Sequence, residues 1–344
     1  MSEPALIPPR PAPRRPRPLG SWRHPATRAL VWQALAWLAV LGGLGWLVHN
    51  TQANMAARGI QSGWDFLGQT AGFDIGEQPI PFDSTDSYAR AFAVGLLNTL
   101  RVAVAGVLLC TVLGALVGVG RLSRSPLVRA LCRGYVELFR NVPLLVQLLL
   151  WYLLLLEYLP EASAAWRWGD AVFWSKSGLA LPFPVQGAQG WHWSVPVLEG
   201  FATEGGATLS PEFLALWLGL ALYTAAFVAE VVRAGMAAVP RGQIEAAHSV
   251  GLGPWQTLRH VTGPQALRVV VPPLTNQYLN LSKNSSLAVA IGYPDVVSIA
   301  NTSLNQTGRA LECIALIMAV YLGLSLGTAL LMGWVNRRAA LRER

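Results

Sequence analysis

The sequence predicts an all-α integral membrane protein with about six transmembrane helices, and three observations predict it. Of its 344 residues, 53% are hydrophobic and only 13% charged, about half the charge of an ordinary soluble domain. The apolar residues fall into long uncharged runs, each able to cross about 30 Å of hydrocarbon at about 1.5 Å per residue. Between those runs the arginines collect in alternate connecting segments, as orientation by positive cytoplasmic loops requires. The net charge of +8 is therefore explained by topology, and no nucleic-acid-binding module is visible.

Residues 1–28 are rich in Pro and Arg, including Arg10, Arg14, Arg15, Arg17, Arg23 and Arg28, and read as a disordered cytoplasmic tail. Residues 29–48 form the first span; the run is too long and too far from the N-terminus for a signal peptide. Residues 49–90 carry Asp65, Asp74, Glu77, Asp83 and Asp86 and are placed outside, in the periplasm. The core, residues 91–335, begins with span two at 91–120, where Gly114 and Gly118 stand at the spacing that lets helices approach closely. An inside loop follows with Arg121, Arg124, Arg129, Arg133 and Arg140, then span three at about 141–159.

Residues 161–210 hold Trp166, Trp168, Trp174, Trp191 and Trp193 among prolines and glycines. Tryptophan favours the membrane interface, so this stretch is expected as an external insertion lying partly on the bilayer, with a re-entrant piece or extra spans as alternatives. Span four covers about 211–232, span five starts near 267, and span six is 313–335. A basic tail, 336–344, puts both termini inside. Cys110, Cys132 and Cys313 lack metal or disulfide spacing and read as buried thiols.

The polar interval at 233–266 is the one the rest is organised around. Pro240 and Gly242 end what precedes it, residues 243–250 are good helix formers, Gly251 can supply a left-handed stop, and Pro254 suits the first turn of a second helix. Two short helices joined at a turn are expected. Glu245, Ala246 and Ala247, then Gly251 after three residues, then Val261 and Pro264, resemble the EAA motif of permease subunits of bacterial ABC importers. Gly263 departs from it, standing where the family has Leu; the expectation is that Pro264 carries the start of the next helix and the missing Leu thins a packing contact.

Further blocks are similar to the polar amino-acid branch of that family. They are Phe139-Arg140-Asn141-Val142-Pro143, the run from Ala221-Leu222-Tyr223 through Phe227 to Gly235, Pro264-Gln265-Ala266-Leu267-Arg268 and Lys283-Asn284-Ser285-Ser286-Leu287. The long N-terminal region and the Trp-rich insertion resemble the larger permease of general L-amino-acid or glutamate/aspartate systems. The resemblance implies a type I ABC importer permease fold in a bacterial inner membrane. It also implies a second permease subunit, as a heterodimer, a cytoplasmic ATPase dimer that holds ATP and magnesium, and a periplasmic amino-acid-binding protein. This chain carries no GxxxxGK[ST] phosphate loop, no catalytic constellation and no metal-ligand spacing, so it is expected to be a non-catalytic transport subunit without a cofactor.

Two sites follow. Gly242, Glu245, Ala246, Ala247, Gly251 and Pro264 are expected to couple to the ATPase: the small residues allow close packing and Glu245 offers a polar partner. Asn280, Lys283, Asn284 and Ser285, polar groups that are costly at membrane depth, are the substrate-cavity candidates. Arg101 and Glu157 read as interfacial anchors, Glu230 and Arg233 as a helical ion pair, and His248 and His260 as surface residues. An ion-coupled secondary amino-acid carrier is the alternative, with span five as its broken helix; it requires an inverted repeat, which is not found.

Overall fold

The computed structural model describes residues 25–57, 59, 62–187, 190–199 and 202–339. The expected tails fall mostly outside these residues. The chain divides into two compact units, residues 1–62 and 63–344. In the first, α1 (Pro25–Ala57) is one helix longer than the expected span and apolar all round, with Leu30, Trp32, Trp37 and Trp46 exposed.

The second unit begins with the segment expected to lie outside. The sequence places acidic residues here, but the structure also buries Phe66, Ile75 and Phe82, which pack with residues of α2 (Tyr88–Gly120). Ser87 starts α2 by accepting the Arg90 N–H. The inside loop expected next is instead an amphipathic helix, α3 (Pro126–Asn141), bent by 105° from α4 (Leu144–Tyr158). Arginines break the hydropathy but not the helical period: Leu127, Leu131 and Leu138 share one face and are exposed.

The Trp-rich insertion contains neither an extra span nor a re-entrant helix among its described residues. It folds as a four-stranded antiparallel sheet of β1 (Trp166–Trp168), β2 (Val172–Ser175), β3 (Gly178–Leu181) and, at the far edge, β8 (Ala207–Leu209). Two hairpins lie between β3 and β8: β4 (Phe183–Gly187) with β5 (Gly190–Ser194), and β6 (Val197–Glu199) with β7 (Ala202–Glu204). Trp174, Leu179 and Leu209 lie on one face, directly paired across the strands, and pack against the helical core. The helical membrane architecture stands; these strands are its unexpected part, because three- to five-residue strands leave little periodicity to read.

Ser210 caps α5 (Pro211–Ala237), accepting the Phe213 N–H at 3.0 Å, with Pro211 in the first turn. Helices α6 (Arg241–Ser249) and α7 (Pro254–Thr257) follow; α7 runs through a π segment, Leu258–Thr262, into α8 (Gly263–Asn284) and then a 3-10 stretch, Ser285–Ile291. A turn with Gly292 at φ +80° leads to α9 (Val296–Thr307), which the sequence reading does not separate from the loop before the last span. The final helix is α10 (Ala310–Ala339).

Four described helices are long and apolar enough to cross a membrane, and six spans result if each of two bent pairs counts as one. The heart of the unit is α2 against α5. A Cβ at Gly114 would meet Val228 at 2.4 Å and one at Gly118 would meet the Ala229 carbonyl at 2.7 Å, so the small-residue spacing does bring two backbones together. Buried polar groups complete the fit. The Asn98 side-chain amide donates to the Glu77 and Pro294 carbonyls at 2.9 Å, and Thr99 accepts the Val296 N–H at 3.1 Å.

Candidate coupling loop and membrane cavity

The EAA-like stretch is α6 and its stop. Leu252 N–H donates to the Ala247 carbonyl and Gly251 N–H to the His248 carbonyl, both at 3.0 Å, with Gly251 at φ +82°. This is a Schellman ending, in which Ala247 is the third-last helical residue and the glycine the left-handed one. The fixed interval from Ala247 to Gly251 thereby acquires a cause: one helical turn and its terminator. The next helix starts where Gly253 N–H meets the Gln256 side chain at 2.9 Å, with Pro254 in its first turn.

The loop faces two ways. Ala247 is buried, whereas Gly242, Glu245 and Ala246 are exposed, with no atoms crowding Gly242. Val250 is 76% and Trp255 69% exposed, large apolar groups standing out of a polar loop. Sequence reasoning missed both; their placement beside the Gly251 turn is the signal that finds them. His248 is exposed, its Nδ1 3.2 Å from the Leu252 carbonyl, and His260 is exposed as well.

Gly263 and Pro264 correct the sequence reading. Pro264 does stand in the first turn of α8, but helical structure already runs continuously from Pro254, so α8 is entered from helix and not from a loop. The π segment just before Pro264 widens the helix there, and Pro264 has no N–H to donate four residues back. Gly263 N–H bonds to the Leu258 carbonyl, and a Cβ at 263 would lie 2.6 Å from that oxygen. Glycine is thus required by the backbone at this turn, beyond any thinning of a contact.

The four cavity candidates separate. Asn280 and Asn284 line a cavity of about 320 Å³ together with Gln277 of α8 and Tyr223, Thr224 and Phe227 of α5. The α5 residues were not foreseen, although Tyr223 and Phe227 are four apart on one helix face. Ser285 is buried and spends its hydroxyl on the Ser282 carbonyl at 2.8 Å, so it is a helix residue. Lys283 is exposed and outside the lining.

Charged groups tie the ends of the spans. Glu230 accepts from Arg233 one turn along α5 and from Arg121 at the end of α2, so it joins two helices at once. Arg101 does not merely anchor. Its guanidinium lies 2.7 Å from Glu77 and 4.6 Å above the Phe213 ring, and Ser210 donates to the same carboxylate. Burial pushes the Glu77 carboxyl above its ordinary value, and the Ser210 and Arg101 contacts offset this only in part. Glu157 is exposed. Among the described residues no three metal-ligating side chains come together.

Bent spans, a closely packed α2–α5 pair and an exposed loop between spans make this a polytopic helical membrane subunit. The chain belongs to the family described as binding-protein-dependent transport system inner membrane components, matched over residues 110–341. It is 40% identical to the general L-amino acid transport system permease protein AapQ of Rhizobium johnstonii, over 93% of this chain and 94% of that one. It is 32% identical to the glutamate/aspartate import permease protein GltJ of Escherichia coli, over 77% and 93%. Among solved structures, a crystal structure of an amino acid ABC transporter with histidines matches 73% of this chain and 95% of that chain, at a TM-score of 0.54 and 27% identity. The MetNI methionine ABC transporter matches with a TM-score of 0.52 at 17% identity, a likeness of fold.

Proposed function

We propose that this chain is the membrane-spanning permease subunit of an ATP-driven importer that carries polar L-amino acids inward by alternating access. The family, and relatives named for L-amino-acid and glutamate/aspartate transport, support the substrate class. The observation that carries the mechanism is the continuity of α7, the π segment and α8. From Pro254, three residues past the turn at Gly251, helix runs without a break to the two asparagines of the cavity. From residue 263 to residue 280 the helix rises about 25 Å, so a push at the loop reaches the middle of the membrane.

In this reading Glu245, Ala246, Val250 and Trp255 dock on a cytoplasmic ATPase dimer that binds ATP and magnesium. Its closure drags the loop and tilts α5 and α8. Pro272 and Pro273 inside α8 each forgo a backbone hydrogen bond and give the rod its place to bend. Asn280, Asn284 and Gln277 supply donors and acceptors for an ammonium, carboxylate or amide. Lys283, exposed beside them, takes part where a second permease, in a heterodimer, completes the path. A periplasmic amino-acid-binding protein delivers substrate to the outer side of an inner membrane in which both termini of this chain are cytoplasmic.

Reconstitution of the chain with its ATPase, second permease and binding protein in proteoliposomes, with competition uptake across the amino acids, tests the proposal. ATP-dependent uptake competed by acidic and amide amino acids is expected. Uptake that follows an ion gradient and ignores ATP would establish the secondary-carrier alternative.

A further inference from the structure

A second, larger cavity of about 650 Å³ lies on the membrane side of the coupling loop, between the inner end of α2, the start of α3, and α6 with α7. Its wall is mostly apolar, including Val119, Val128, Ile244 and Leu258. Two of its polar groups stand out. The Thr257 hydroxyl is buried, with the residue 4% exposed, and has no hydrogen-bond partner. Arg124 is exposed at the rim and takes part in none of the ion pairs among the described residues.

A buried hydroxyl is ordinarily satisfied, so an unpartnered one lining a cavity points to an occupant with an acceptor. The route into the cavity says which. Val104, Leu108, Val112 and Leu116 are spaced by four along α2, and each is more than half exposed. They form an apolar ridge that runs down the span and ends at the cavity, which Leu116 itself lines. Helix α3, with exposed leucines on one face and arginines on another, has the make-up of a helix lying in the inner interface.

We propose that this cavity binds an anionic phospholipid of the inner leaflet. The acyl chains lie along the α2 ridge, an ester carbonyl accepts the Thr257 hydroxyl, and the phosphate pairs with Arg124. The lipid is wedged between the coupling helix and the core, and its occupancy limits how far α6 swings. The last step rests on the coupling role proposed above; the binding step does not.

The test uses the assembled transporter purified from membranes and washed in detergent, with retained phosphatidylglycerol quantified by mass spectrometry. One arginine is worth about 1 kcal/mol toward an anionic lipid surface, so Arg124→Gln should lower retention roughly fivefold. Ala237→Trp, which fills the cavity, should lower it at least as much, and Arg338→Gln, a basic residue outside the lining, should leave it unchanged. Stimulated ATP hydrolysis should depend on phosphatidylglycerol in nanodiscs for the wild type and not for Ala237→Trp. Equal retention by all four proteins, or equal loss in Arg338→Gln, overturns the site. Site-specific retention with lipid-independent hydrolysis keeps the site and overturns its link to the loop.

Discussion

A leucine at position 263, which the EAA pattern would have there, would set its Cβ 2.6 Å from the Leu258 carbonyl. Gly263→Leu is therefore expected to lower uptake and melting temperature together, whereas a mere packing contact would be improved by it; a gain in both readouts contradicts the account. Gly251 is different, with open space around it but φ at +82°. Gly251→Val there costs about 1 to 3 kcal/mol of backbone strain, and the expected loss is in stimulated ATP hydrolysis, with membrane insertion intact. Asn280→Ala and Asn284→Ala should each reduce uptake more than Ser285→Ala does, measured as initial rates at equal expression. Larger loss in Ser285→Ala would place the substrate elsewhere. Glu77 adds a pH dependence. Its carboxyl is raised, so the folded chain holds the proton longer than the unfolded one, and stability falls as pH rises from the ordinary carboxylate value through the raised one. Glu77→Gln should flatten that slope in detergent melting curves; a wild type with no slope in this window counts against it.

At the scale of elements, hydropathy and charge made the straight spans legible, because uncharged runs of about 20 residues have few other uses. The same rule hid α3. Its arginines were read as marking the inside, yet their spacing is also that of an amphipathic helix, and length plus charge alone does not separate loop from helix. The insertion was hidden for another reason. Its tryptophans pair across β1 and β2, with Trp166 opposite Trp174, a partnership set by register and invisible in a linear scan. Gly114 and Gly118 announced a close helix approach in advance, but that α5 is the partner only the fold shows. Gly118→Val should cost most of the folded protein in the membrane, read by detergent gel filtration. Gly323→Val, on α10 with nothing within 4 Å, should be tolerated; equal tolerance of both would remove the close approach from the account.

At the scale of the molecule, the geometry of the proposed coupling loop was readable because its residues make a complete local structure, a helix with its own terminator. The cavity was readable only by half. A single helix showed Asn280 and Asn284, but the facing Tyr223, Thr224 and Phe227 belong to α5, and only the fold brings them across. The helix from Pro254 to Asn284 is one rod with the loop at one end and the cavity asparagines at the other. The most direct measurement is ATP-driven amino-acid uptake, alongside substrate-stimulated ATP hydrolysis, by reconstituted complexes carrying Glu245→Arg or Gly251→Val. Both variants are expected to insert and bind lipid as the wild type does, and to lose uptake and stimulated hydrolysis together. Full transport by both variants would contradict this expectation.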